Sequence, residues 1–276
     1  MSLHATELII EAGHTERNYW RDLFRYRELF YFLAWRDVLV RYKQTVIGIL
    51  WAVLRPLLTM LVFTFVFSRI ARLPADGLPY PVMVFAAMLP WQLFATSLSE
   101  GSGSLINNSN LISKVYFPRL IVPASAVIVS FVDFAISMVL LAIIMAIYQV
   151  WGGWTLLMLP AFTALALLAS AGAGIWLAAL TVKYRDFRYV VPFIVQFGLY
   201  LSPVGFSSSI VPEKWRLLYS INPMVGVIDG FRWAISGGQT VFPQQSLALS
   251  LVTTALLLAS GIWYFRKTER TFADVI

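Results

Sequence analysis

YFLAWRDVLVRYKQTVIGILWAVLRPLLTMLVFTFVF, residues 31–67, decides the fold. Its first half has the period of an amphipathic helix. Tyr31, Trp35, Val38, Leu39, Tyr42 and Val46 fall within about 100° of arc at 3.6 residues per turn. Arg36, Asp37, Arg41, Lys43 and Gln44 occupy the other side, with Val40 interrupting them. Aromatic rings on one face and Arg/Lys on the other suit a helix lying in a membrane interface. Residues 47–67 are apolar except for Arg55 and are long enough to cross a bilayer. The chain therefore lies on a membrane first and then enters it. The alternative, two successive core helices of a soluble protein, is opposed by the composition.

Of 276 residues, 59% are hydrophobic and 13% charged, against about 25% charged in soluble domains. Mean hydropathy is +0.74. These values belong to an all-α polytopic membrane protein. There is no cysteine, which excludes disulfides and thiolate metal sites. His4 and His14 lie in a polar N-terminal arm, where a solvated side chain is the ordinary outcome, so no metal ligands are assigned. The first 28 residues hold no apolar core of the kind a signal peptide needs, so insertion is expected to begin after Val46. The net charge of +7 does not point to nucleic acid, because the basic residues flank apolar spans.

Hydropathy predicts two regions: an arm and interface helix over residues 1–46, and a six-span domain over 47–276. The spans fall at about 47–67, 81–98, 120–148, 156–182, 190–206 and 247–265. Residues 68–80 are a turn-rich loop, and Trp151 and Trp154 flank a Gly-Gly turn suited to the headgroup layer. Residues 100–119 read as a polar loop with interleaved Leu111, Ile112, Val115 and Phe117, part of it a short helix. Residues 207–246 are amphipathic. Their apolar pieces, such as 225–235, are too short to span and are broken by Asp229 and Arg232, as re-entrant or interfacial half-helices would be. Six spans return both termini to one side. Fifteen Lys and Arg fall on that side and five on the other, which assigns both termini to the cytoplasm. No repeat relates the spans, unlike many secondary transporters, and six spans alone make a small wall, which points to a homodimer.

Ile235-Ser-Gly-Gly-Gln239 imitates an ATPase signature. No phosphate-cradling Gly-x-x-x-x-Gly-Lys-Ser/Thr accompanies it, so it reads as a glycine stop after a short helix. Ala166, Ser170, Gly174 and Ala178 recur every four residues, a small-residue stripe for helix packing. Trp51, Arg55, Thr59 and Phe63 recur on the first span, and Phe193, Phe197 and Tyr200 share a face of the fifth. Such stripes are either lipid-facing and packing residues, or a pathway lining whose rings stack weakly on sugars. Arg55 either snorkels to the headgroups or pairs with a lipid phosphate or pyrophosphate. Asp133, near the middle of the third span, carries a costly charge with no evident basic partner, thin grounds for a proton relay.

Taken in order, Arg41-Tyr-Lys-Gln-Thr-Val-Ile-Gly48 with Trp51, Ala52 and Pro56, then Leu89-Pro-Trp91, Tyr184-Arg-Asp186, Leu201-Ser-Pro-Val-Gly205 and Tyr219-Ser-Ile-Asn-Pro-Met224 resemble the ABC type-2 exporter permeases for polysaccharides and polyol phosphates. That group includes the O-antigen, capsule and teichoic acid exporters. The resemblance runs from about Arg36 to the end of the chain. It implies a transport subunit without catalytic residues or cofactors of its own, paired as a homodimer with an ABC ATPase subunit that holds ATP and Mg. It implies a bacterial cytoplasmic (inner) membrane location and a lipid-linked polysaccharide, O-antigen first, as substrate. It also implies that the interface helix and the loop after span two rest on the ATPase, through Arg36, Arg41, Asn107, Asn108, Leu111, Lys114 and Phe117. Spans one and five would border the pathway, and Arg41 with Arg55 would meet the entering headgroup. Two rivals are a membrane glycosyltransferase or polymerase, which needs clustered acids or His, and an ion-coupled flippase relaying through Asp133.

Overall fold

The computed structural model describes residues 19–43 and 48–272. Residues 1–18 of the expected arm, with both histidines, and the junction 44–47, with Gln44 and Val46, lie outside the described residues. Among the described residues the chain is helical throughout, in the order α1 (Tyr19–Arg25), α2 (Arg27–Lys43), α3 (Gly48–Phe63), α4 (Tyr80–Asn107), α5 (Ser109–Lys114), α6 (Ile121–Ile147), α7 (Leu159–Lys183), α8 (Phe187–Leu201), α9 (Glu213–Tyr219), α10 (Pro223–Ile235) and α11 (Gln244–Thr268).

Among the described residues, five segments are long and apolar enough to cross a bilayer: Val53–Ile70, Tyr80–Asn107, Ile121–Ile147, Gly153–Lys183 and Gln244–Thr271. The first is α3 continued by a π-helical stretch, Thr64–Ile70, whose wider turn shows in the Ala71 N–H donating to the Val66 carbonyl at 2.9 Å. The expected fifth span is the short one. Its helix, α8, has 15 residues, below the roughly 20 a full crossing takes. Residues 202–206 then run on without helical hydrogen bonding, largely buried in protein. Irregular backbone survives at such a depth where other groups satisfy its carbonyls. Here the buried Arg232 guanidinium donates to the carbonyls of Phe206 (2.9 Å), Val204 (3.2 Å) and Met83 (3.4 Å). The Tyr80 hydroxyl donates to the Gly205 carbonyl at 2.6 Å, and the Asn222 amide to Ser202 Oγ at 2.9 Å. Asn222 also caps α10, accepting from the Met224 N–H at 3.0 Å.

The expected short helices between spans five and six are α9 and α10. The latter ends as the sequence predicts: Gly237 and Gly238 take φ of 71° and 81°, and the Gly238 N–H returns to the Trp233 carbonyl at 3.0 Å.

Residues 99–107 depart from expectation. The Gly/Ser-rich run has the propensity of a loop, yet α4 continues through it to Asn107. Tertiary packing overrides propensity. A methyl group on Gly101 would sit 3.8 Å from the Gly174 Cα of α7, so two helix backbones approach where both lack side chains. The Ser102 and Ser104 hydroxyls bond back to the carbonyls of Ser99 and Gly101. At 28 residues α4 is about 42 Å long and projects beyond the hydrocarbon.

α4 and α7 form the buried centre, with α6, α8, α10 and α11 around them and α3 leaning on α4 and α6. One apolar cluster runs through the bundle to one end, and a second marks the other end. One joins Leu78 and Tyr80 to Val204, Met224 and Ile235. The other joins Tyr19 and Leu33 to Leu105, Phe117, Val182, Phe265 and Phe272. At this second end the Arg119 N–H donates to the Glu269 carboxylate at 2.8 Å, and Arg266 stacks 4.7 Å over the Tyr19 ring. The start of the described chain, the link before α6 and the end of α11 therefore meet on one side of the bundle.

Candidate functional site

α2 divides its faces differently from the pattern its sequence suggests. Its aromatic row stays uncovered, with Tyr31 68% and Trp35 52% exposed and their rings parallel at 6.5 Å. That suits headgroups. The opposite face docks on the bundle through Arg36 and Arg41, which stay partly exposed. Arg36 Nη2 donates to Asp37 Oδ1 at 2.7 Å and to Asn108 Oδ1 at 2.8 Å, while the Asn108 amide donates to the Ser104 carbonyl at 2.9 Å. Arg41 reaches further, pairing with Asp133 of α6 at 3.0 Å and with Glu100 of α4 at 3.6 Å. The Tyr42 hydroxyl donates to the other oxygen of Asp133. Asp133 thus has the basic partner that its sequence neighbourhood does not show.

Of the residues assigned to coupling, Arg36, Arg41, Asn107 and Asn108 line one 310 Å³ cavity with Glu100 and Ser104. Leu111 is half-buried and Lys114 exposed. Phe117, at 4% exposure, belongs to the apolar cluster and offers a partner no surface. Val115 and Tyr116, exposed beside it, are the side chains that face outward there, and a pattern of apolar residues could not separate them from Phe117.

A second cavity of 170 Å³ opens where α2, α3, α4 and α6 converge. Its wall holds Arg41, Tyr42, Trp51, Arg55, Asp133 and Ser130. Arg41 and Arg55, assigned together to headgroup entry, share it. They differ electrostatically: Arg41 is neutralised by two carboxylates, whereas Arg55 is exposed and, among the described residues, joins no ion pair. The Ser130 hydroxyl is buried there without a partner among the described residues. A guanidinium beside hydroxyls is chemically complementary to an anionic oxygen group.

α3 and α8 each lean on α4, and α8 fits closely because Gly198 leaves room for the Trp91 ring. Trp51, Phe193, Phe197 and Tyr200 are each at least half exposed, and the Phe193 and Phe197 rings lie 4.1 Å apart. Phe63 instead turns inward, edge-on to Phe67 at 5.4 Å. The Thr59 hydroxyl is spent on the Arg55 carbonyl at 2.9 Å.

Comparison with known proteins bears on this geometry. Residues 28–236 match the ABC-2 type transporter family. The chain is 30% identical over 260 residues to the O-antigen export system permease protein RfbA of Myxococcus xanthus, covering 93% of this chain and 98% of that protein. It is 26% identical over 248 residues to RfbA of Klebsiella pneumoniae, covering 87% and 92% of the two chains. It is 21% identical over 235 residues to the polysialic acid transport protein KpsM of Escherichia coli, covering 85% and 91%. A multi-pass helical bundle with a docked interface helix, matched over most of its length by this family, is a transport subunit rather than a catalytic one: the chain belongs to the ABC-2 type transporter family.

Proposed function

We propose that this chain is the membrane permease subunit of an ABC exporter, moving a lipid-linked polysaccharide, O-antigen first, out of the bacterial cytoplasm. ATP is hydrolysed by a separate subunit. The observation that carries the reading is 30% identity to an O-antigen export permease over 98% of that protein's length. Two copies form the working unit. The uncovered aromatic faces of α3 and α8 support this, because exposed apolar stripes call for either lipid or a second copy. Both termini lie in the cytoplasm of an inner-membrane protein, a reading supported by fifteen Lys and Arg on that side against five on the other.

The ATPase grips the end that carries α2, Asn107, Asn108 and Lys114. The anionic headgroup enters beside Arg55, with Arg41 held back by Asp133 and Glu100 until α2 moves. Movement of α2 passes to α6 through Arg41 and to α4 through Arg36 and Asn108. The sugar chain then slides along Trp51, Phe193, Phe197 and Tyr200, whose weak stacking holds without trapping. Capsular polysaccharide export is the second reading, favoured by the KpsM similarity. The test is ATP-driven export of lipid-linked polysaccharide into vesicles carrying the permease, with and without the ATPase subunit. Export that persists unchanged without the ATPase refutes the coupling.

A further inference from the structure

At the end of the bundle opposite α2, a 660 Å³ cavity lies between the turn before α4, the Ser207–Ser209 hydroxyls, α9, α10 and the loop entering α11. Its size is that of a small-ligand site, about 300–1,000 Å³. Its charges cancel. Asp76 and Asp229 stand against Arg216 and Arg232, and Arg232 is already committed to three backbone carbonyls. Asp76 is likewise engaged by Ser207 and, at 3.4 Å, by Ser209. The wall thus carries no net formal charge and favours no strongly charged ligand.

What the wall does leave uncommitted is neutral. The Tyr219 hydroxyl is buried with no partner among the described residues. Gln239, Gln244 and Gln245 also line the cavity, and among the described residues none of their carboxamides bonds to protein. A buried hydroxyl costs free energy unless something pairs with it. Three amides, each both donor and acceptor, face the same space.

We infer that this cavity is a binding site for neutral sugar units, an outer subsite that holds the polysaccharide after it leaves the aromatic stripe. Hydroxyl-rich, uncharged rings match its balance of donors and acceptors, and Phe242 on the same wall supplies an apolar patch for a ring face. The inference rests on the proposed export of a polysaccharide and adds a second holding point to it. Binding at two places makes backsliding from the first less frequent.

The test is photocrosslinking in cells that export through this chain. A benzophenone amino acid replaces Gln245 in the cavity, Phe197 on the stripe, or Leu157, which is 78% exposed at the same end but outside the cavity. After irradiation the permease is probed for attached glycan. The expected result is glycan on the Gln245 and Phe197 positions, with the Gln245 position labelled at least about tenfold more than the Leu157 position. Tyr219→Phe, which removes one unpartnered hydroxyl and no packing, is expected to lower Gln245 labelling several-fold at unchanged protein level. Labelling at Phe197 with Gln245 no better than Leu157 overturns the outer subsite and leaves the exporter reading standing. No glycan at any position, in cells whose surface polysaccharide is unaffected by loss of this chain, overturns both. Tyr219→Phe without effect overturns the role of that hydroxyl.

Discussion

Arg41→Gln, Asp133→Asn and the double substitution test whether α2 drives the bundle through the pair it forms with α6. At 3.0 Å the Coulomb attraction is about 5 kcal/mol at an effective dielectric of about 20. Most of that is returned. The Arg41 and Asp133 side chains keep 36% and 23% of their surfaces exposed, and both lose hydration and rotamer freedom on pairing. About 1–2 kcal/mol remains. The two single changes are not equivalent. Asp133→Asn leaves Arg41 with Glu100 at 3.6 Å, and the new amide oxygen still accepts from Tyr42. Arg41→Gln strands the Asp133 carboxylate with one hydroxyl, so it is the more damaging, and the double variant, which removes that stranded charge, should export better than Arg41→Gln alone. The assay is the rate of ATP-driven export in vesicles containing the ATPase subunit. The double variant should exceed the product of the single effects by about 5–30-fold, the equivalent of 1–2 kcal/mol of coupling. Because the pair is partly covered, raising salt should erode this coupling less than it would an exposed pair. Effects that multiply within about twofold would refute the argument that this contact transmits the motion.

Other consequences follow from the packing. Gly198→Ala puts a methyl carbon 2.5 Å from the Trp91 ring, so α8 must move off α4. A loss of about 1–3 kcal/mol, read as a lowered melting temperature of the purified protein, is expected. Arg232→Met leaves the Val204 and Phe206 carbonyls buried without donors, at about 2–5 kcal/mol, read as protease cleavage between α8 and α9. Burial raises the Asp229 carboxyl to about 6 against the opposing pull of Arg232. The folded protein then holds this proton more tightly than the unfolded chain. The associated stability, about 1–3 kcal/mol, is full below pH about 4 and is lost as pH rises through about 6. Melting curves over that range should flatten in Asp229→Asn. Phe197→Ala should slow export while leaving melting within about 0.5 kcal/mol of the parent, because the ring is half exposed. Phe63→Ala should do the reverse.

The third span shows what a sequence makes legible. Its expected limits, 120–148, and those observed, Ile121–Ile147, differ by one residue at each end, since an unbroken apolar run has no other solution in a bilayer. The glycine pair after α10 is equally readable, because it acts through its own backbone. The misreadings share a cause. Residues 99–107 look like a loop by propensity, but they form helix because Gly174 lies opposite Gly101. The face of α2 that carries Arg36 and Arg41 looks solvated, but its partners are Asn108, Glu100 and Asp133. Tyr42 and Asp133 are 91 positions apart, and periodicity along one helix says nothing about a carboxylate on another. The one available signal was energetic. An acid in an apolar span calls for a partner, and Arg41 is that partner.

Burial then decides which helices can move. In α4, 83% of the most apolar stretch is buried, and in the span containing α7, 72%; in the first span the figure is 11%. Shifting α4 against α7 would break an interdigitated interface, and packed interiors resist such sliding. Shifting α3 breaks few apolar contacts within the chain, so its displacement is the cheap one. α3 follows α2 in sequence, and α2 is fastened to α6 and α4 by polar contacts that can be exchanged one at a time. An input at α2 therefore has two routes. Through Arg41 it strains a rigid core; through the chain it moves a lightly held span. With Arg41 paired the two routes oppose each other and α3 stays seated. With Arg41 released as α2 moves, and able to join Arg55 beside the proposed headgroup, the restraint is gone and α3 is free to swing. In this arrangement headgroup arrival and span movement are one event. An anionic lipid that occupies the Arg55 cavity should therefore increase the mobility of a spin label on α3, and should fail to do so in Arg55→Gln.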